Sequence, residues 1–207
     1  MGVVFVDAGV SLDGYMAGPN RSPGNPMGDG ARSIHQWMFE CACFRAHVGM
    51  EGGVAGTADD ARIAQVFARS GANVMGRRMF DEGEVAWPEE APFHGPVFVV
   101  THHAREPWVR KGGTTFYFVT DGIESALAQA KAAAKGKDVR ISGGAETIRE
   151  YLDAGYIDEL TLHLAPVVLG DGLRLMDGLS AEKLKFEQTG SSSSALVTHV
   201  SYRVLRD

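Results

Sequence analysis

Cysteine is almost missing from this chain: Cys41 and Cys43 are the only two among 207 residues. A single C-x-C, with no second pair, makes a poor zinc signal and no disulfide framework, so neither a metal ligand set nor a disulfide scaffold is expected. The two thiols read as ordinary buried or half-buried side chains in a reducing cytoplasm. Clusters of Lys and Arg are also lacking, and the formal net charge is −6. That balance argues against a nucleic-acid surface, which announces itself by clustered cations. No apolar run approaches a membrane span. The first residues lack the basic, apolar and small-residue order of a signal peptide, and "MGVVFVDAGVSLDG" reads as a first strand. Neither compact phosphate loop occurs: G-x-x-x-x-G-K-[ST] and G-x-G-x-x-G are both absent.

What is present describes a soluble globular chain. Hydrophobic residues make up 44% and charged residues 22%, enough to bury a substantial core. The length fits one domain over residues 1–207, with no internal repeat and no linker. Strand-like and helix-like segments alternate, which predicts an α/β fold on a largely parallel sheet. After the first strand comes "SLDGYMAGPNRSPGNPMGDG", a loop long enough to be either disordered or functional. In "IHQWMFECACF" the residues Ile34, Trp37, Met38, Cys41 and Phe44 recur at helical spacing and predict one amphipathic helix. "DDARIAQVFARSG" predicts another, capped by Asp59 or Asp60 and closed at Gly71. "ANVMG", "PVFVVT", "TTFYFV" and "DVRISGG" predict buried strands. Beyond Gly155 the strand-like segments have no helices between them, so antiparallel pairing at a sheet edge is expected, with "SSSS" (191–194) as a hairpin turn.

Three strand ends carry the chemistry. In "VRISGGAETIREYL" a strand meets Gly143 and Gly144 and a helix begins at once. Free helical N–H groups, the positive end of the peptide dipoles and the missing Cβ atoms together make a place for a phosphate. A plain tight turn is the alternative, and Glu146 in the first helical turn has to face away from any anion. "VMGRRMF" repeats the pattern through Gly76, followed by Arg77 and Arg78, whose guanidinium groups pair with phosphate oxygens. "VVTHH" adds Thr101, His102 and His103, as phosphate or base contacts or merely as polar residues leaving a sheet. In open α/β sheets ligands collect at such carboxyl ends, so a dispersed dinucleotide site is expected. Trp37 is a candidate stacking wall beneath a planar ring, or else a core tryptophan. Asp13 is a candidate substrate contact or proton source, or else a turn aspartate in Asp-Gly.

Taken in order, "SLDGYMAGP", "GANVMGRRMFD", "PVFVVTHH" and "ISGGAETIREYLDAGYIDELTLHLAPVVLGDGLRLM" resemble the dihydrofolate reductase superfamily. Within it, the chain is most similar to the reductase domain of bifunctional riboflavin-biosynthesis proteins, a 5-amino-6-(5-phosphoribosylamino)uracil reductase. The likeness runs roughly from Val3 to Met176. It implies a three-layer α/β/α fold with a central, mostly parallel sheet, antiparallel C-terminal edge strands and bound NADPH. By that resemblance Gly76, Arg77, Arg78 and Met79 surround the adenosine 2'-phosphate and pyrophosphate. Thr101, His102 and His103 lie along the adenosine ribose phosphate. Ser142, Gly143, Gly144, Ala145, Glu146 and Thr147 meet the pyrophosphate and nicotinamide side, and Ala8 touches the carboxamide. The loop with Asp13 and Gly14 folds over cofactor and substrate. The acidic residue that dihydrofolate reductases carry on their first helix has no clear counterpart, which argues against folate. The deaminase signature H-x-E with P-C-x-x-C is absent. The expectation is thus a stand-alone NADPH-dependent reductase acting on a pyrimidine, pteridine or related heterocycle, without nucleic acid or membrane partners, and assembled as a homodimer or higher homo-oligomer. A non-catalytic NADPH-binding module and a flavin- or deazaflavin-dependent reductase are the alternatives.

Overall fold

Why so apolar a first strand as "VFVDAGVS" forms is settled by its neighbours. In a computed structural model describing residues 2–180 and 182–206, β1 (Val4–Ser11) lies between two parallel partners, β7 (Asp138–Gly143) and β8 (Glu159–Ala165). A strand covered on both faces reads as a nearly continuous apolar run. The remaining strands are β2 (Tyr15–Ala17), β3 (Ser70–Gly76), β4 (Pro96–Val100), β5 (Trp108–Val109), β6 (Thr115–Val119), β9 (Leu173–Arg174), β10 (Lys185–Ser193) and β11 (Thr198–Leu205). Nine of them form one sheet in the order β10-β11-β8-β1-β7-β3-β4-β6-β5, and β2 pairs with β9. The strands from β8 to β6 are mutually parallel, and the pairs at both edges are antiparallel. This is the expected α/β architecture.

Alternation along the strands sorts the two faces. Val4, Val6, Ala8 and Val10 belong to the core that packs α5 (Gly122–Ala133) and α6 (Ala145–Asp153), with Ala126, Leu127, Ile148 and Tyr151. The odd residues Phe5, Asp7 and Gly9 face the other side, where α3 (Ala58–Arg69) and the 31–47 segment lie. There Arg69 sits over the Phe5 ring at 4.2 Å and bonds Asp138 and Glu159. Farther along that side α4 (Arg77–Glu84) inserts Phe80 among Met75, Val97, Val99 and Phe116.

Four local expectations are corrected. The segment 31–47 is not one helix but a 3-10 turn (Ala31–His35) running into α1 (Gln36–Phe39), then α2 (Ala42–His47). Cys41 is extended between them (φ −88°, ψ 129°) and bridges to Val54, so the 40–54 loop closes on itself and stops the helix. The N-cap of α3 is Thr57, whose hydroxyl accepts from Asp60 N–H; the Asp60 carboxylate instead accepts from Gly56 and Cys43. That helix ends at Arg69, and Gly71 already lies in β3. Finally, residues 191–193 belong to β10, because the β10–β11 ladder continues to Ser193↔Thr198; the antiparallel edge pairing expected beyond Gly155 is present in β8–β11 and β10–β11, with β8 also parallel to β1. The long loop is ordered: Asp29 accepts from Asn20 and Asn25, and Arg21 reaches Glu82 on α4 at 2.5 Å.

Phe80 is fully buried and makes edge contacts with Trp87, Trp108, Phe116 and Phe118. Phe80→Ala is expected to cost about 3–5 kcal/mol in urea unfolding; a loss under about 1 kcal/mol would mean that α4 does not pack as described.

Candidate active site

Two helices start side by side at one edge of the molecule. β3 and β7 are parallel neighbours, so α4 and α6 open at adjacent strand ends. Neither helix has a side-chain N-cap: Gly76 and Gly144 occupy those positions, and the first N–H groups stay free of side-chain partners. The two starts touch. A Cβ on Gly76 would collide with Thr147 Oγ1, and one on Gly143 would come within 3.2 Å of Met79 Sδ. Gly143 also has φ 130°, which disfavours any side chain there, and a cis peptide joins it to Gly144. A Cβ on Gly144, by contrast, meets no protein atom within 4 Å. The resulting cleft is lined by Arg21, Gly76, Arg78, Met79, Gly144, Ala145, Glu146, Thr147 and Leu173. Two helix N-termini and the guanidinium groups of Arg21 and Arg78, which share the Glu82 carboxylate, favour an anion here, but Glu146, expected to face away, lines the cleft and opposes them.

Next to the cleft is a cavity of about 170 Å³ on the α3 side of the sheet. Its wall includes Asp7, Ala8 and Gly9 from β1, Arg140 and Ser142 from β7, His163 from β8, Ile63, Val66 and Phe67 from α3, and His35, Trp37 and Met38. Met79 lines both spaces. Gly9 is required here: a Cβ would press on His35 and Ile34, so only glycine lets the 3-10 turn lie this close to β1. Arg140 Nη2 donates to the Asp7 carbonyl at 3.2 Å, and Ser142 donates to Asn73 at 3.1 Å. Among the described residues, the buried Nε atoms of Arg140 and Arg62 and the indole N–H of Trp37 have no hydrogen-bond partner. Unpaired buried donors are costly, and in a cavity wall they are ready for a ligand's acceptors.

Electrostatics set the protonation states. Burial alone would raise Asp7, but His163, by charge and hydrogen bond, and then Arg140 and Arg62, carry its carboxyl below the ordinary carboxylate value. Burial, reinforced by His163 and Arg140, pushes His35 down to about 4, so it is neutral near pH 7. Burial also lowers Arg140 against the pull of Asp7, without taking a guanidinium out of its charged form.

The residues expected from sequence divide into groups. Ala8, Trp37, Met79 and Ser142 line the cavity; Gly76, Arg78, Met79, Gly144, Ala145, Glu146 and Thr147 line the cleft, with Gly143 against Met79. Trp37 is a core tryptophan, 2% exposed and packed with Cys41, Ile63 and Val197, and it also borders the cavity. Arg77 is tied to Asp81 at 2.6 Å. Thr101 is buried, with its hydroxyl accepting from His103 N–H, while His102 and His103 are exposed at the end of β4 and line neither space. Asp13 does not border the cavity either: its carboxylate accepts from Ser11 Oγ at 2.6 Å and from the N–H groups of Leu169 and Gly170. Sequence reasoning passed over Arg21, Asp7, Arg140, His163 and His199. The signal for four of them was a charged or imidazole side chain inside an otherwise apolar strand.

A family model described as the RibD C-terminal domain matches residues 3–200. The chain belongs to the RibD C-terminal domain family. Among curated relatives, the uncharacterized protein YwjB of Bacillus subtilis (strain 168) is 34% identical over 83 residues, 40% of this chain and 47% of YwjB. The chain thus matches about half the length of that relative. Among solved structures, a Shewanella sp. PV-4 protein provisionally assigned to riboflavin biosynthesis superposes with a TM-score of 0.67 at 23% identity, with both chains covered completely. Dihydrofolate reductase from Enterococcus faecalis, complexed with NADP(H), gives a TM-score of 0.55 at 12% identity, covering 98% of this chain and 96% of that one. Both the superfamily fold and the branch expected from the ordered motifs are therefore the ones found.

The Asp13 clamp has a pH signature. Its hydrogen bond from Ser11, then those from Gly170 and Leu169, hold its carboxyl down at about 2. A depressed carboxyl stabilises the fold above its unfolded value, about 3.9, and that contribution is lost as pH falls toward 2. Asp13→Asn should therefore flatten the fall of melting temperature between those two values; an unchanged acid limb would show that the clamp does not form.

Proposed function

We propose that the chain is an NADPH-dependent reductase that passes hydride to a small heterocycle, a pyrimidine, pteridine or related ring. The observation that carries this is Met79, one side chain bordering both the cationic cleft and the polar cavity. A dinucleotide has the same two-part character: an anionic bridge and, a short distance away, a planar ring. The residues present fit it. Gly144 leaves open space where a Cβ would stand, and the free N–H groups at the α6 start point to an acceptor.

When bound, the nicotinamide supplies the hydride, which is the cofactor's own chemistry. The protein's part is to bind, orient and keep water out. Arg21 and Arg78, with the N–H groups of residues 145–147, would hold the phosphates. Ala8, a small residue within β1, would take the nicotinamide edge. Arg140 Nε and Trp37 N–H would meet acceptors on the substrate ring, beside Asp7. The single-domain extent over 1–207 and pairing of two copies through the exposed strand β10 are part of the same proposal.

Nicotinamide fluorescence tests it. NADPH should bind at least about tenfold tighter than NADH, the worth of one guanidinium–phosphate pair, and should be oxidised in the presence of pyrimidines or pteridines. Gly144→Ala should leave the melting temperature unchanged and weaken NADPH by about tenfold, the value of one lost charge-assisted bond. No NADPH binding by the wild type would overturn the proposal.

A further inference from the structure

Behind the cavity wall four titratable side chains form a line. Asp7 Oδ1 lies 2.7 Å from His163 Nε2, His163 Nδ1 lies 2.6 Å from His199 Nδ1, and His199 Nε2 lies 3.0 Å from Asp59 Oδ1. Sheet register builds it: His163 and His199 are cross-strand partners on β8 and β11, and Asp7 projects from β1 on the same face. His163 is 3% and His199 1% exposed, and the Trp37 ring closes over both, with each pair of centroids 4.9 Å apart.

Hydrogens can be counted. Three contacts need three, one for each. Two neutral imidazoles supply only two. If each ring gives its Nε2–H to its carboxylate, two Nδ1 lone pairs face each other at 2.6 Å with nothing between them. If either ring turns its hydrogen inward, a lone pair is set against a carboxylate oxygen instead. One additional proton satisfies all three contacts, and nothing less does.

The surroundings suit that proton. The charged and titratable groups facing the pair are Asp7 on β1, Asp59 and Arg62 on α3, Arg140 on β7 and His35 in the 3-10 turn. From β8 and β11 come the uncharged Thr161 and Ser201, which hold the Arg62 guanidinium. Two carboxylates grip the ends of the array directly, while His35 is neutral and does not compete. Burial pushes His199 down, against its bond to Asp59. His163 is the one of the two that borders the cavity.

We propose that the Asp7–His163–His199–Asp59 array stores one proton beyond those of two neutral imidazoles and releases it, through His163 and Asp7, to the substrate's heteroatom. The release rests on the reductase proposal; the stored proton does not. With NADPH bound, the nicotinamide would supply hydride to the carbon of a substrate C=O or C=N bond, forming C–H. The π pair moves to oxygen or nitrogen, which takes the proton and forms O–H or N–H. The substrate is reduced, the nicotinamide oxidised, and the imidazole pair left neutral until it regains a proton from solvent. Asp7 and His163 would touch substrate; His199 and Asp59 are positioning residues.

NMR of histidine-15N-labelled protein tests the stored proton without any reaction. At neutral pH one ring should show both nitrogens protonated, with a far-downfield proton shared between the two Nδ1 atoms. Asp59→Asn should lower the pH at which that proton leaves by about one unit, and His199→Phe should abolish the shared resonance. Two neutral rings at neutral pH would overturn the storage. For the release, NADPH oxidation with a panel of pyrimidines and pteridines should fall above the pH at which the resonance disappears. His199→Phe should lower kcat about a hundred-fold with KM little changed. A kcat indifferent to loss of the proton would overturn the release. If no member of the panel oxidises NADPH while the resonance is present, the reductase proposal and the release step fail together and the stored proton stands. Should His199→Phe not fold, the Asp59→Asn titration decides the storage by itself.

Discussion

The parallel pairing of β3 with β7 is the contact on which the site depends. It brings the N-termini of α4 and α6 together, where either alone would be a weak anion site. The approach is close enough that residue 76 must lack a side chain, since Thr147 Oγ1 stands where its Cβ would be. Arg21, from the loop after β2, reaches the same spot only because Glu82 on α4 holds its guanidinium. The cation, the two dipoles and the glycines thus come from three separate stretches of chain. The sheet is what assembles them.

The second constraint is the burial of charge in central strands. Asp7 and Arg140 both belong to neighbouring strands in mid-sheet, a costly place for an ion. Strand alternation directs both to the α3 face, away from the apolar α5–α6 core, and there each finds an opposite charge. Removing one member of such a set would leave the other uncompensated, which is why the group acts as a unit. Three donors remain unpartnered among the described residues, two of them in the cavity wall.

Much of the architecture could be read from the sequence, because apolar runs bounded by glycine are local signals: β3, β4, β6 and β7 lie where "ANVMG", "PVFVVT", "TTFYFV" and "DVRISGG" placed them. The convergence of Gly76 with Gly144 was legible for the same reason, each being a strand-to-helix junction. The break at Cys41 was not, since a bridge to Val54 overrides a helical period that continues through it. Nor was the parallel pairing of β8 with β1, a contact across more than 150 residues. The imidazole array escaped for a like reason: Asp7, His163 and His199 meet only through sheet register, and each alone is one polar residue in an apolar strand.

The central claim is that the cleft and the cavity are two ends of one dinucleotide site with Met79 between them. A crystal structure of the protein soaked with NADPH tests it most directly. The account predicts the pyrophosphate against the N–H groups of residues 145–147, with Arg21 and Arg78 beside it, and the nicotinamide against Ala8 on the far side of Met79. NADPH bound elsewhere, or with its phosphates away from the α4 and α6 starts, would contradict it.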